Sequence, residues 1–189
     1  MIDVLYHGSL IQNLQVLTHY ESGHKESFVY AVSEKVFAAF FIHRPGGSLV
    51  ISCGRLEDGI PYLCERKGGI LNRNYENKKG SIYVVEKKYF IHKEDLWGEE
   101  FVSVKDIKPL KEIKILDIKE YLLKSESEGK IKIILFKDRI KHFPNIDDEL
   151  LKTAKKLIEK YGFEKVLPSL EKHQPRILKL INNERNLKT

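Results

Sequence analysis

Hydrophobic and polar positions alternate in short bursts over the first two thirds of the chain and then change period. Runs of β-branched and aromatic residues at 3–6, 27–32, 48–53, 81–86, 100–104 and 111–116 are bounded by Gly, Pro and charged residues. That pattern predicts six strands. A single helix interrupts them: EKVFAAFFI, residues 34–42, is apolar all round, which predicts a buried helix, with Ser33 placed to cap it. After Asp117 the period becomes helical. In ELLKTAKKLIEKYG, residues 149–162, Leu150, Leu151, Ala154, Leu157 and Ile158 share one helical face, and Gly162 is the natural stop. Two more short helices are expected over 166–183, broken at Pro168 and Pro175. The plan is α+β: an α+β module over 1–118 and a helical segment over 119–189 packed on or beside it.

Charge divides the chain in the same way. Residues 119–189 hold 17 Lys/Arg against 11 Asp/Glu, and residues 1–118 hold 16 of each, so the whole net charge of +6 belongs to the C-terminal third. Such a third can contact nucleic acid or another polyanion. Its leucines and isoleucines are too frequent for a merely charged arm, so a core-completing role is expected first. Lys152, Lys155, Lys156, Lys160 and Lys165 should then stay in water.

Two cysteines, Cys53 and Cys64, form no CxxC pair. With no basic-then-apolar leader in MIDVLYHGS and no stretch approaching eighteen apolar residues, a reducing, cytoplasmic setting without membrane contact is expected. The seven histidines include His19 and His24, but no HxxxH or CxxC spacing joins them, so no metal is expected. There is no GxGxxG, GxxxxGK[ST] or GxSxG motif to cradle a phosphate or present a nucleophile.

Three elements remain, in order: Leu5-Tyr6-His7-Gly8-Ser9; Tyr30 in its strand, followed by the helix with Ala38 and Phe41; and Glu99-Glu100-Phe101-Val102-Ser103. Each alone reads as ordinary packing or surface. As an ordered set they resemble the catalytic domain of the ADP-ribosyltransferase superfamily, in its His-Tyr-Glu branch, which includes diphtheria toxin and the poly(ADP-ribose) polymerases. The likeness covers about residues 3–118 and implies a split β-sheet core. By this resemblance NAD is the substrate. Gly8 would hold the nicotinamide carboxamide through its backbone, His7 and Ser9 a ribose, and Tyr30 and Phe41 would stack on the ring. Glu100 would be the catalytic carboxylate, with Glu99 as the alternative if the register slips by one. His7 and Tyr30 complete the catalytic set.

Two departures stand out. Ala38 occupies the position of a polymerase serine, which removes one hydrogen bond, worth roughly 1 kcal/mol. Gly98 replaces the acidic or amide residue of the arginine-modifying branch. The expected activity is mono-ADP-ribosyl transfer to an acceptor that is a protein, nucleic acid or small molecule. The alternatives are a non-catalytic nucleotide- or partner-binding module of the same fold, and an RNA 2′-phosphotransferase-like enzyme. The polar stretch 60–88 reads equally as plain loop and as the border of an acceptor site, and Trp97 reads as a packing anchor.

Overall fold

The computed structural model describes residues 2–21, 27–93 and 97–186; His24 lies outside them. In chain order the elements are β1 (Val4–Ser9), β2 (Tyr20–Glu21), β3 (Ser27–Val32), α1 (Lys35–Ile42), β4 (Ile51–Arg55), β5 (Pro61–Glu65), α2 (Ile70–Tyr75) and β6 (Gly80–Glu86). There follow β7 (Glu100–Ser103), β8 (Lys111–Ile115), α3 (Ile118–Ser127), β9 (Lys132–Ile134), α4 (Arg139–His142), α5 (Ile146–Tyr161), α6 (Phe163–His173) and α7 (Pro175–Asn186). The chain is α+β with two sheets.

Its compact units are residues 1–44 with 75–128, and residues 45–74 with 129–189. The boundary therefore differs from the single cut expected at residue 118. The reason is non-local pairing: β5 runs parallel to β9, with Leu63 opposite Ile133, and hydrophobic periodicity says nothing about which distant strand a run will join.

The first unit is built on an antiparallel sheet ordered β2-β3-β1-β6-β8, with β7 also paired to β3. One face buries Leu5, Val29, Ala31, Tyr83 and Val85 under Leu17, Phe90 and Ile107. Against the other face lies α1. It buries Val36, Phe37, Ala38, Ala39, Phe40 and Ile42, as its all-round apolar sequence demands. Each large side chain contributes about 1.5–3 kcal/mol at most. Two glycines allow the close approach. A Cβ on Gly8 would sit 2.1 Å from the Ala38 carbonyl oxygen, and one on Gly80 would sit 2.5 Å from Ile42 Cγ2. Ser33 does not cap α1. Glu34 is the N-cap residue and makes no side-chain cap bond, while the Ser33 hydroxyl donates to the Glu99 carboxylate. A charge-assisted bond outcompetes a neutral cap. Asp117 does cap α3, accepting from the Glu120 amide at 3.0 Å.

The second unit pairs β4, β5 and β9 in a mixed sheet. Leu150, Ala154, Val166, Leu170, Ile177 and Ile181 of α5, α6 and α7 form a core with Leu49, so the helical third does complete a core. Lys152, Lys155, Lys156, Lys160 and Lys165 are exposed, as expected. The strand expected at 48–53 begins only at Ile51, because left-handed Gly46 (φ 82°) leads into a 3-10 turn over Gly47–Leu49. Pro168 does not break the chain into separate helices. It sits inside α6, whereas Pro175 opens α7, where its missing N–H costs nothing.

The 60–88 stretch is not a loop either: β5, α2 and β6 occupy most of it. Glu65 is 3% exposed and accepts the Leu71 amide at 2.7 Å and the Phe136 amide at 3.0 Å. Buried Arg66 donates to the Ser48 carbonyl at 2.8 Å, and buried Asn74 to that of Pro45 at 3.3 Å. These polar residues hold the second unit together.

Candidate functional site in the first unit

β1 pairs with β6 along its whole length, from Val4–Glu86 to Ser9–Ser81. With β3 it pairs only at Tyr6–Val32. Had that ladder continued, Gly8 would stand opposite Tyr30. Instead the Tyr30 carbonyl takes its hydrogen bond from the His7 ring, at 2.7 Å from Nδ1. The sheet therefore parts between β1 and β3 at the His7-Gly8-Ser9 segment.

Strand alternation says which side chains meet. Tyr6 is opposite Val32, and Val32 is opposite Glu100, so these three share one face. Tyr30, two residues along β3, shares it too and lies diagonal to Glu100, since Tyr30 pairs with Val102. The α1 face thus gathers Tyr30, Glu100 and Gly8. His7 belongs by parity to the opposite face, where it pairs with Tyr83, the rings 6.4 Å apart. It reaches the parting only through its bond to the Tyr30 backbone. Ser9 is engaged locally, its hydroxyl accepting the Ile11 amide at 3.1 Å.

Around Glu100 an aromatic wall forms. The Trp97 ring meets Phe37 at 4.9 Å and Phe41 at 5.9 Å, both edge-on, and the Arg44 guanidinium lies 5.2 Å from the Phe41 ring centre. The Glu100 amide donates to the Trp97 carbonyl at 2.7 Å, which ties the start of β7 to that wall. Trp97 is the packing anchor expected. Arg44 was not singled out from sequence: it lies beyond the end of α1 at Ile42, after extended His43, so no helical spacing points to its place over Phe41.

Burial sets the electrostatics. It pushes the Glu100 carboxyl above its ordinary range, and the Arg44 charge and the Trp97 backbone bond pull it partly back. It pushes the His7 imidazole down, against a smaller upward effect of the Tyr30 carbonyl. The His7 ring is therefore neutral at pH 7. With Nδ1–H donating to a carbonyl, Nε2 carries the lone pair and can accept a hydroxyl. Glu99 is occupied by Ser33, which leaves Glu100 as the carboxylate on the Tyr30 face.

Among the described residues no group of three or more His, Cys, Asp or Glu is placed to hold a metal, and no helix is long and apolar enough to cross a membrane. His19 instead pairs with Asp106 at 2.7 Å. Compared with protein-family models, with curated proteins and with solved structures, the chain matches none.

Proposed function

We propose that this chain transfers ADP-ribose from NAD to an acceptor, releasing nicotinamide, and that the parting between β1 and β3 is where the nicotinamide end enters. The observation that supports this most is the end of the β1–β3 ladder at Tyr6–Val32. It falls beside the His-Gly-Ser segment, with Tyr30 and Glu100 on one face. In this reading the ring stacks on Tyr30, with Phe41 as second aromatic, and the Gly8 backbone meets the carboxamide. The His7 Nε2 lone pair accepts a ribose hydroxyl, with Ser9 as a further ribose contact.

The chemistry asks for a carboxylate where Glu100 stands. As the bond from the anomeric carbon to the pyridinium nitrogen breaks, the electron pair leaves with nicotinamide. Positive charge then builds on the sugar. A fixed anion close by stabilises it. The acceptor's nucleophile forms the new bond to the same carbon, and its proton passes to the Glu100 carboxylate and on to solvent.

Incubation of the full chain with NAD, with nicotinamide release followed by chromatography, tests the reading. Glu100→Gln should cut turnover by about 100-fold or more, and Glu99→Gln far less. Because the Glu100 carboxyl is raised, activity should fall with decreasing pH already above the ordinary carboxylate range. Arg44→Gln removes a charge that favours the ionised form, so the acid limb should move to still higher pH. No nicotinamide release, or equal effects of the two Glu substitutions, would refute the assignment.

A further inference from the structure

The second unit concentrates charge more strongly than the linear sequence reveals. Residues 45–74 and 129–189 together carry 19 Lys/Arg against 11 Asp/Glu, a net +8, while the first unit carries 14 against 16, a net −2. Within the second unit the cations are not spread evenly over solvated faces. The Lys67 ammonium donates to the Lys172 carbonyl at 2.7 Å, in the last turn of α6. The charges that bear on Lys67, after its burial, are those of Arg73 and Lys172, and they push its pKa down. His173 is likewise held down, first by burial and then by Lys67, Lys172 and Arg73. Among the described residues no carboxylate pairs with Lys67, Arg73 or Lys172. Elsewhere in the unit Arg139, Lys141, Lys155 and Arg176 all have acidic partners.

At the same place the His173 Nδ1 is buried and makes no hydrogen bond. Its Nε2 would lie 3.4 Å from a Cβ on Gly46, whose left-handed backbone favours glycine. Helix capping explains part of this. Lys67 satisfies a terminal carbonyl, and cations near a helix C-terminus are favourable. Arg73 stands in the last turn of α2 and gains in the same way, yet it is exposed and adds repulsion to Lys67 and His173, and capping leaves the imidazole nitrogen orphaned. Uncompensated like charges raise the free energy of the fold, and an anion seated among them would lower it.

We propose that Lys67, Arg73, Lys172 and His173 form a binding site for the phosphodiester backbone of nucleic acid on the second unit. A repeating polyanion fits better than an isolated phosphate. The four-residue cluster sits within a unit of net +8, and only an extended chain of phosphates would meet both the cluster and the surrounding field. The site does not depend on the chemistry proposed for the first unit.

The test uses the full chain and a fluorescent single-stranded RNA of about 20 nucleotides, with the same sequence as DNA, in a salt titration read by anisotropy. Affinity should fall by about 0.7 log units per phosphate contact for each tenfold rise in salt. Joint Arg73→Glu and Lys172→Glu should lower that slope by about 1.4 and weaken binding at least tenfold at physiological salt. The charge-matched pair Lys152→Glu and Lys156→Glu, on the exposed side of α5, should weaken it less than threefold. Should the glutamate pair fail to fold, Arg73→Gln with Lys172→Gln carries the same comparison. Nitrogen-15 NMR of the His173 ring should also move on RNA addition. Equal weakening by both pairs would mean a diffuse field and no site. Absence of salt-sensitive binding, or displacement of RNA by millimolar inorganic phosphate, would overturn the proposal as well.

Discussion

Gly8 invites two explanations that a single substitution separates. A catalytic reading alone makes the glycine a concession to a ligand, and then a side chain there should block binding and leave the fold intact. The packing predicts otherwise. An added Cβ would lie 2.1 Å from the Ala38 carbonyl oxygen, 3.0 Å from its carbon and 3.1 Å from Ile42 Cγ1. Carbon and oxygen in contact need over 1 Å more than the shortest of these, and the obstructing atom is helix backbone, which no rotamer change can move. Gly8→Ala must therefore lift α1 off β1 or bend the strand. Overpacking of this kind costs about 1–3 kcal/mol, which for a chain of this size lowers the melting temperature by about 2–4 °C per kcal/mol. Gly98→Ala is the matched control. Nothing lies within 4 Å of its added Cβ, so its melting should stay within about 0.5 kcal/mol of wild type. Circular dichroism melts of the three proteins without ligand decide the matter. If Gly8→Ala melts with Gly98→Ala, the contact is not what requires the glycine. Loss of NAD binding in a Gly8 variant can be assigned to the ligand only after this melt.

Two further outcomes follow from carboxyls shielded from solvent, Glu65 fully and Glu100 in part. Glu65→Ala strands the Leu71 and Phe136 amides, at about 1–3 kcal/mol each, so it should lower stability to denaturant far more than Glu57→Ala at an exposed position; equal midpoints would refute the role. Glu100 should act in the opposite sense. Its folded-state pKa lies above the unfolded one, so stability declines as pH rises from the ordinary carboxylate range through the raised value. Glu100→Gln should melt higher than wild type at pH 7 and lose that advantage in acid, and a lower melt at both would refute it.

Local signals in the sequence were legible wherever one face of an element is buried by near neighbours. Strands β1, β3, β6, β7 and β8 of the first sheet, the buried α1 and the apolar stripe of α5 follow directly from period, whereas the two-residue β2 does not. What period cannot carry is partner choice. The polar stretch 60–88 reads equally as plain loop and as an acceptor-site border, yet within it β5 sits between β4 and β9 and ends at buried Glu65, followed by buried Arg66. The polar atoms there are satisfied by amides and carbonyls seventy or more residues away in places, as with Phe136, a kind of compensation invisible to a hydropathy pattern. Pro168 misled for a related reason: tertiary packing of Val166 and Leu170 on the helical core holds α6 together across a residue that disfavours it.

The candidate site divides in the same way. That His7, Tyr30 and Glu100 belong near one another was readable as an order of motifs, but their faces were not. Parity follows from the register, and the register places Tyr30 and Glu100 together while assigning His7 to the far side with Tyr83. Only the early end of the β1–β3 ladder lets the imidazole turn to the Tyr30 carbonyl. A strand pair that continued to Ser9 would close that gap with backbone bonds, and His7 would be one more side chain of the Tyr83 face. The gap has a mechanical cause in the same few residues: β1 is bonded along its full length to β6 and pressed by α1 at Gly8, while β3 is drawn towards β7 by four consecutive pairs. The two strands are held from opposite sides, and the parting between them is what remains.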